Sequence, residues 1–168
     1  MPVSVIEGDQ QTDLDAERIR QCCQRVHQIN TGHMCHLDAH MVGHALEHLQ
    51  PPVDSMLFIE NVGNLVCPAA FALGEHRRVV LLSTPEGEDK PLKYPDMFAT
   101  ADCVLITKSD LLPYVPFNRT ACRETLRRFD PTMPVFEVSA VTGQGMDQWL
   151  DWLSAVVGMT AHTIEHAS

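Results

Sequence analysis

The run Leu57-Phe58-Ile59, ended by Glu60-Asn61-Val62-Gly63-Asn64-Leu65-Val66-Cys67-Pro68, limits the fold of this chain more than any other stretch. A short apolar segment bounded by turn residues reads as a buried strand, most often one in a parallel sheet. In α/β sheets, ligands bind just beyond the carboxyl ends of such strands, where Glu60 to Cys67 fall. A carboxylate there can hold a metal-bound water, and a glycine lets the backbone approach a ligand closely. A buried strand with an ordinary polar turn is the plainer alternative, and this stretch alone leaves both open.

The rest of the chain supplies strands and helices in alternation. Val3 to Ile6 is a short β-rich run, followed by a polar turn from Glu7 to Thr12. Helix signals cover about Asp13 to His27, with Leu14, Ile19 and Val26 on the apolar side. A loop from Asn30 to Cys35 leads to a second helix, Leu37 to Leu49, stopped by Pro51-Pro52. Arg78 to Ser83, Cys103 to Thr107 and Val135 to Val138 read as further strands. Asn118 caps a helix that closes at Phe129 before Pro131, and a last helix, Gly145 to Val157, turns Trp149, Trp152 and Leu153 inward. This order predicts βαβ units, hence an α/β fold built on a parallel sheet with helices on both faces. Residues 1–157 are expected to form one domain, and 158–168 a flexible C-terminal tail.

A chain of 168 residues is long enough for one proper core. Its net charge of −10 argues against nucleic acid or an anionic membrane as partner. With neither a membrane span nor a signal peptide, a cytoplasmic location is expected. The six cysteines are scattered, which fits reduced thiols better than a disulfide framework. A cysteine in a polar loop then becomes a candidate metal ligand. Cys35-His36 stands at the entrance of the second helix, and Cys67 follows the Leu57 strand. Two thiolates and an imidazole suit Zn²⁺, Ni²⁺ or Cu, and a helix N-terminus would favour the thiolate at Cys35. Taken alone, Cys35-His36 also reads as a buried thiol beside a surface histidine. His36, His40, His44 and His48 recur every fourth residue, either as weak metal-holding pairs or as a solvated helix face, and His33 is open to the same two readings.

Two strand-end loops suit a guanine base. In Thr107-Lys108-Ser109-Asp110 the carboxylate can accept two hydrogen bonds from the N–H edge of guanine, while the lysine stem lies along the base. Ser139-Ala140, after the Val135 strand, offers a backbone N–H to the guanine oxygen. A TKxD tetrapeptide alone is more often a charged turn. A following strand that ends in Ser-Ala makes it a guanine-nucleotide signal.

Longer runs carry a resemblance. They are Val5 to Thr12, Asn30-Thr31-Gly32, Cys35-His36-Leu37-Asp38-Ala39, Leu57 to Pro68, Glu86 to Pro95, Asp110-Leu111-Leu112-Pro113-Tyr114 and Gly145-Met146-Asp147-Gln148-Trp149-Leu150. Across nearly its whole length the chain resembles the G domain of the hydrogenase nickel-insertion GTPases, the HypB family, relatives of the urease accessory GTPase. The resemblance implies a P-loop NTPase fold of the SIMIBI type that binds GTP or GDP with Mg²⁺. It also implies Ni²⁺ or Zn²⁺ on Cys35, His36 and Cys67 near a subunit interface. Asp9 would stand near Mg²⁺ and the attacking water, and Glu60, ending a Walker-B-like strand, would orient Mg²⁺ through water. Thr107, Lys108, Asp110, Ser139 and Ala140 would take the base. Implied partners are a second copy of the chain, nickel-delivery proteins and the hydrogenase large subunit. Leu111-Leu112 would be core or dimer contact, and Glu86 to Tyr94 a switch-like or merely solvated loop.

Departures from the family pattern are equally specific. The sequence contains no GxxxxGK[ST], whose backbone cradles phosphates and whose side chains reach them and Mg²⁺. Thr107 stands where the family usually has Asn, and the cysteine motif and His-rich segment that precede the G domain in some relatives are absent. The chain therefore reads as a G domain without its first strand and phosphate loop, an interior strand whose loss leaves two others short of a neighbour. Two functions follow. One is a nickel-insertion factor for [NiFe]-hydrogenase maturation, GTP-dependent in the complete family but not equipped here for hydrolysis. The other is a non-hydrolytic Ni/Zn metallochaperone or storage module.

Overall fold

Strands and helices alternate as expected, and they gather into two units, Met1–His76 and Arg77–Ser168. The computed structural model describes residues 1–165, with side chains through Gly158.

The first unit runs β1 (Val3–Asp9), α1 (Leu14–Arg20), β2 (Val26–Asn30), α2 (Ala39–Leu49) and β3 (Met56–Glu60). Its strands form a parallel sheet in the order β2-β1-β3, with Ile6 beside Ile59 and Glu7 beside both Gln28 and Glu60. Because side chains alternate along a strand, Ser4, Ile6 and Gly8 share one face of β1. Ile6 there joins Leu37, Val42 and Ala45 in a buried cluster, edged by Ile29, Leu46, Leu57 and Ile59. Each large side chain buried completely, such as Ile6 or Leu37, contributes about 2 kcal/mol. Val42, Ala45, Leu46 and Leu49 fall at helical spacing, which is why α2 can turn one stripe to this cluster. The Asp38 carboxylate caps α2 by accepting the Met41 N–H at 2.8 Å. Gln50 closes the helix in a left-handed conformation (φ 43°) just before Pro51-Pro52.

The helix expected over Asp13 to His27 stops at Arg20, and its C-terminal part is strand β2 instead. The reason lies in the tertiary structure. The Arg25 carbonyl accepts the Val5 N–H at 2.8 Å, and Val26 lies opposite Val5 in the ladder. Pairing along β1 satisfies the backbone of 26–30 and suits β-branched Val26 and Ile29 better than a helix would.

The second unit runs β4 (Val79–Ser83), α3 (Lys90–Lys93), α4 (Pro95–Ala99), β5 (Cys103–Thr107), α5 (Arg119–Phe129), β6 (Val135–Glu137) and α6 (Met146–Glu165). Its sheet is also parallel, in the order β4-β5-β6. Cys103, Val104, Leu105 and Ile106 are all buried, as the central strand of a parallel sheet requires. Burial pushes the Cys103 thiol up to about 12 and the Cys122 thiol up to about 11, so both are inert. Asn118 caps α5 by accepting the Ala121 N–H at 3.0 Å. The Arg123 guanidinium donates to Glu137 Oε1 at 2.9 and 3.2 Å, and Arg119 donates to Oε2, tying α5 to β6. Burial alone would raise the Glu137 carboxyl, but the two guanidinium groups outweigh it and hold it below the usual range. Trp149 and Trp152 stack at 5.3 Å and pack with Phe136 and Leu153, the inward face expected of this helix. Gly145 (φ 72°) lies so close to β6 that a Cβ there would overlap the Glu137 carbonyl oxygen.

Both sheets are parallel, but the strands divide into two ladders, and among the described residues β3 and β4 each have one neighbour. The charged segment from Glu86 contains α3 rather than being loop throughout, with Lys93–Asp89 at 2.6 Å and Lys90–Glu86 at 3.8 Å. The expected tail is helical in backbone through Glu165, and 166–168 lie outside the described residues. No helix among the described residues is long and apolar enough to cross a membrane.

Candidate metal centre

Cys35, His36 and Cys67 come together, although 32 residues separate the two cysteines. One donor atom from each lies within 4.8 Å of the others, and all three side chains are half-buried. Cys35 Sγ is 3.8 Å from His36 Nδ1, and the His36 ring stacks on Phe71 at 4.0 Å. The two sulfur atoms are joined as a disulfide, with Cα atoms 6.3 Å apart. The expectation that all six thiols stay reduced is thus corrected: Cys35 and Cys67 pair, and Cys22, Cys23, Cys103 and Cys122 are free. Reduction of that bond yields two thiolates beside an imidazole. This is a soft, borderline donor set that fits Ni²⁺ or Zn²⁺ and leaves at least one coordination position open.

Sequence-distant loops meet here for local reasons. Gly8 lies directly under Leu37, and a Cβ at Gly8 would stand 2.8 Å from that side chain. The glycine of Glu7-Gly8-Asp9 therefore lets Leu37 seat the preceding Cys35-His36 over the sheet. Asn61 accepts the Leu37 N–H at 2.8 Å and the Val62 N–H at 2.9 Å. Asn64 donates to the Cys35 carbonyl and accepts the Val66 and Cys67 N–H groups at 3.0 and 2.9 Å. Cys35 and His36 precede the α2 cap, Asp38, so they stand before the helix and not at its first turn.

The histidine stripe does not extend the cluster. His40 and His44 meet edge to face at 4.5 Å, His44 contacts Glu47 at 3.4 Å, and His48 stacks on His27 of β2 at 5.6 Å. His33 is exposed and outside the three-residue group. Among the described residues, Cys35, His36 and Cys67 are the only group of three or more such side chains.

Carboxylates gather at the carboxyl ends of β1 and β3. Asp9 holds its own turn, accepting the Gln10 N–H at 2.6 Å and the Thr12 hydroxyl at 2.7 Å. The Thr12 hydroxyl is the main cause holding Asp9 below the usual carboxylate range. Glu60 is raised, first by desolvation and then by Asp15. Between them lies Glu7, 3% exposed, whose Oε2 is buried without a hydrogen-bond partner. Burial first, then Glu60 and Asp9, push it up to about 7.

The residues expected from the sequence to read a base lie in the second unit. Ser139, fully buried, donates its hydroxyl to Asp110 Oδ1 at 2.6 Å, and its N–H donates to the Gln144 carbonyl at 2.9 Å. Of the Ser139-Ala140 pair, Ala140 is thus the better placed to offer an N–H to a guanine oxygen. Lys108 is left-handed (φ 57°), and its carbonyl accepts the Thr84 hydroxyl at 2.9 Å. Thr107 ends β5 half-buried, and Leu111-Leu112 follow in a half-buried turn. Sequence reasoning passed over Glu7, Asn61, Asn64, Phe71 and Thr84. The two asparagines stood in the opening run, and their polar side chains directly after an apolar strand were the available signal. Nothing in the sequence marked Phe71.

These parallel units, with their polar loops at strand ends, belong to the class of nucleotide-binding α/β domains. The model of the CobW/HypB/UreG nucleotide-binding domain matches residues 1–137, and the chain belongs to that family. Hydrogenase maturation factor HypB of Rhizobium leguminosarum bv. viciae is 60% identical over 153 residues, 91% of this chain and 51% of that protein. The HypB of Escherichia coli K12 is 54% identical over 153 residues, 91% of this chain and 53% of that protein. The chain therefore spans about half the length of the curated relatives it matches. Among solved structures, HypB from Helicobacter pylori in complex with nickel superposes with a TM-score of 0.87 at 38% identity, covering 95% of this chain and 76% of that one. HypB from Archaeoglobus fulgidus gives 0.81 at 36% identity, covering 92% and 75%.

Proposed function

We propose that this chain is the metal-handling portion of a nickel-insertion factor for [NiFe]-hydrogenase maturation, acting in the cytoplasm. The observation that carries the reading is the convergence of Cys35, His36 and Cys67 within 4.8 Å. Membership of the family and likeness to a HypB solved with nickel support it. Ni²⁺ is the cargo, and Zn²⁺ fits the same donors. Three protein donors leave a four-coordinate ion short by one. A second copy of the chain, water or His33 completes the shell, and a shared ion would promote a homodimer. Nickel-delivery proteins would load the site and the hydrogenase large subunit would receive the ion. Guanine base would be read by Asp110, Lys108, Thr107 and the Ser139-Ala140 turn of the second unit; in the first unit, Asp9 and Glu60 are the carboxylates suited to Mg²⁺. Nucleic acid and membrane are not partners in this reading.

The test is titration of the reduced chain with Ni²⁺ and Zn²⁺, alongside light scattering. Loss of an outer-shell partner alone costs ~10–100-fold in affinity, so the Cys35→Ala/Cys67→Ala double variant should lose more than ~100-fold and the metal-dependent dimer. Unchanged stoichiometry and affinity would assign binding to the histidine stripe instead. A second reading, a metallochaperone or store without hydrolysis, is favoured by the lack of GxxxxGK[ST] in these 168 residues. Under either reading the purified chain shows no GTP turnover above background. Phosphate release abolished by Asp9→Ala would overturn that expectation.

A further inference from the structure

We infer that Asn64 is the positioning residue of the metal centre, holding the two cysteine-bearing loops in register so that both sulfur atoms face one point. The inference rests on the metal reading above for its purpose, but its geometry stands independently. A single amide makes three bonds: Nδ2 donates to the Cys35 carbonyl, and Oδ1 accepts from the backbone N–H of Val66 and of Cys67. One end therefore grips the residue carrying the first sulfur and the other grips the residue carrying the second. An amide offers a donor and an acceptor on separate atoms of one short stem, and its orientation is settled because two of its partners are donors and one an acceptor. Asn61, three residues earlier, adds a second tether by accepting the Leu37 N–H just beyond His36. The Cys35–Leu37 segment is thus held at both ends by the loop that carries Cys67.

The physical consequence is a high effective concentration of one thiol at the other. Without the clamp, Cys35 and Cys67 are ends of a 32-residue loop, and any ion bridging them must first order both. With the clamp that ordering is already present in the folded chain, so more of the binding energy of the ion appears as affinity.

Two measurements on the full chain test this. The first is Ni²⁺ titration of the reduced protein, followed by nickel–thiolate charge-transfer absorption. Asn64→Ala should weaken binding by ~10–100-fold. Asn118→Ala, which removes a helix cap in the other unit, should leave it unchanged, separating positioning from general loss of stability. The second needs no metal. In a glutathione redox buffer, one cysteine thiolate attacks oxidised glutathione and expels one glutathione thiolate. The second cysteine thiolate then displaces the other glutathione and closes the Cys35–Cys67 bond. The protein gives up two electrons and oxidised glutathione becomes two reduced molecules. The equilibrium, read as the disulfide-linked peptide pair by mass spectrometry, reports the effective concentration, and Asn64→Ala should lower it by about tenfold or more.

A fall in both quantities supports the inference. A fall in effective concentration with unchanged nickel affinity supports the clamp and discards the assigned ligands. Unchanged effective concentration overturns the inference whatever nickel does, because the sulfur atoms are then held together by something else.

Discussion

The loop after β3, an edge strand, and the loop after β5, the central strand of the other sheet, use their polar side chains in opposite ways. In the first unit the clamping side chains, Asn61 and Asn64, are separate from the candidate ligands Cys35, His36 and Cys67. Once the Cys35–Cys67 bond is reduced, the donors have no structural hydrogen-bonding task, because other side chains hold the loops. In the second unit the clamp is the reader itself: Asp110, which would face guanine, accepts the Ser139 hydroxyl. One site is arranged ahead of its ligand, and the other must share its carboxylate with a neighbour. Pre-arranged donors favour affinity, whereas a shared carboxylate would have to be reoriented or doubly used to take a base.

The contrast extends to how each unit manages strain and charge, and three variants probe it. The largest effect is expected at Gly145, where a side chain would strike backbone that cannot move without shifting β6. Gly145→Ala should cost about 3 kcal/mol or more, from the left-handed conformation and the overlap together. Trp149 and Trp152 are the only tryptophans in the sequence, so the fluorescence midpoint in urea reads this unit directly. A shift within error would show that α6 can start elsewhere.

Glu7 gives the next effect, in the first unit. Its folded value near 7 exceeds the ordinary 4.5, so the native state keeps a proton that the unfolded chain releases between those values. Its contribution is fully present below about pH 4.5 and is lost as pH rises to about 7, by at most about 3 kcal/mol. Glu7→Gln should match the parent at pH 4.5 and be more stable at pH 8, measured by far-ultraviolet circular dichroism in urea. Parallel pH profiles for the two proteins would show that Glu7 is not protonated in the fold.

Glu137 gives the smallest effect and the opposite sign. Its carboxyl is held low by Arg119 and Arg123 against the effect of burial. That stability is present above the ordinary 4.5 and drains away as pH falls through the lower folded value. Glu137→Gln should cost about 1.5 kcal/mol at pH 7 and progressively less in acid. An equal cost at pH 7 and pH 3 would mean the amide loses packing and not charge.

Much of the fold was legible because it depends on local signals. Asn118 before an apolar-striped segment and Pro131 after it bound α5, and Pro51-Pro52 ends α2. The apolar runs at 57–59 and 103–106 both form strands, but only the second is buried as expected: β3 lies at the edge of its sheet and Phe58 is 37% exposed. The segment 21–27 was misread as helix because Leu14, Ile19 and Val26 fit a helical face. Its backbone partner, β1, is invisible to a local window. Of the metal centre, the ligand types and loop positions could be read, but the sulfur pairing and the stacking of His36 on Phe71 could not.

By itself, then, the sequence determined the extended segments other than β2, and which donor atoms sit in strand-end loops. Those follow from residue spacing, capping and turn chemistry. The tertiary structure alone decided that Cys35 meets Cys67, that Glu7 is buried beside Glu60 and pushed up to about 7, and that Ser139 engages Asp110. Each of these depends on parallel register and on side chains from elements far apart in the chain, and desolvation and proximity are properties of the assembled fold that no local stretch contains.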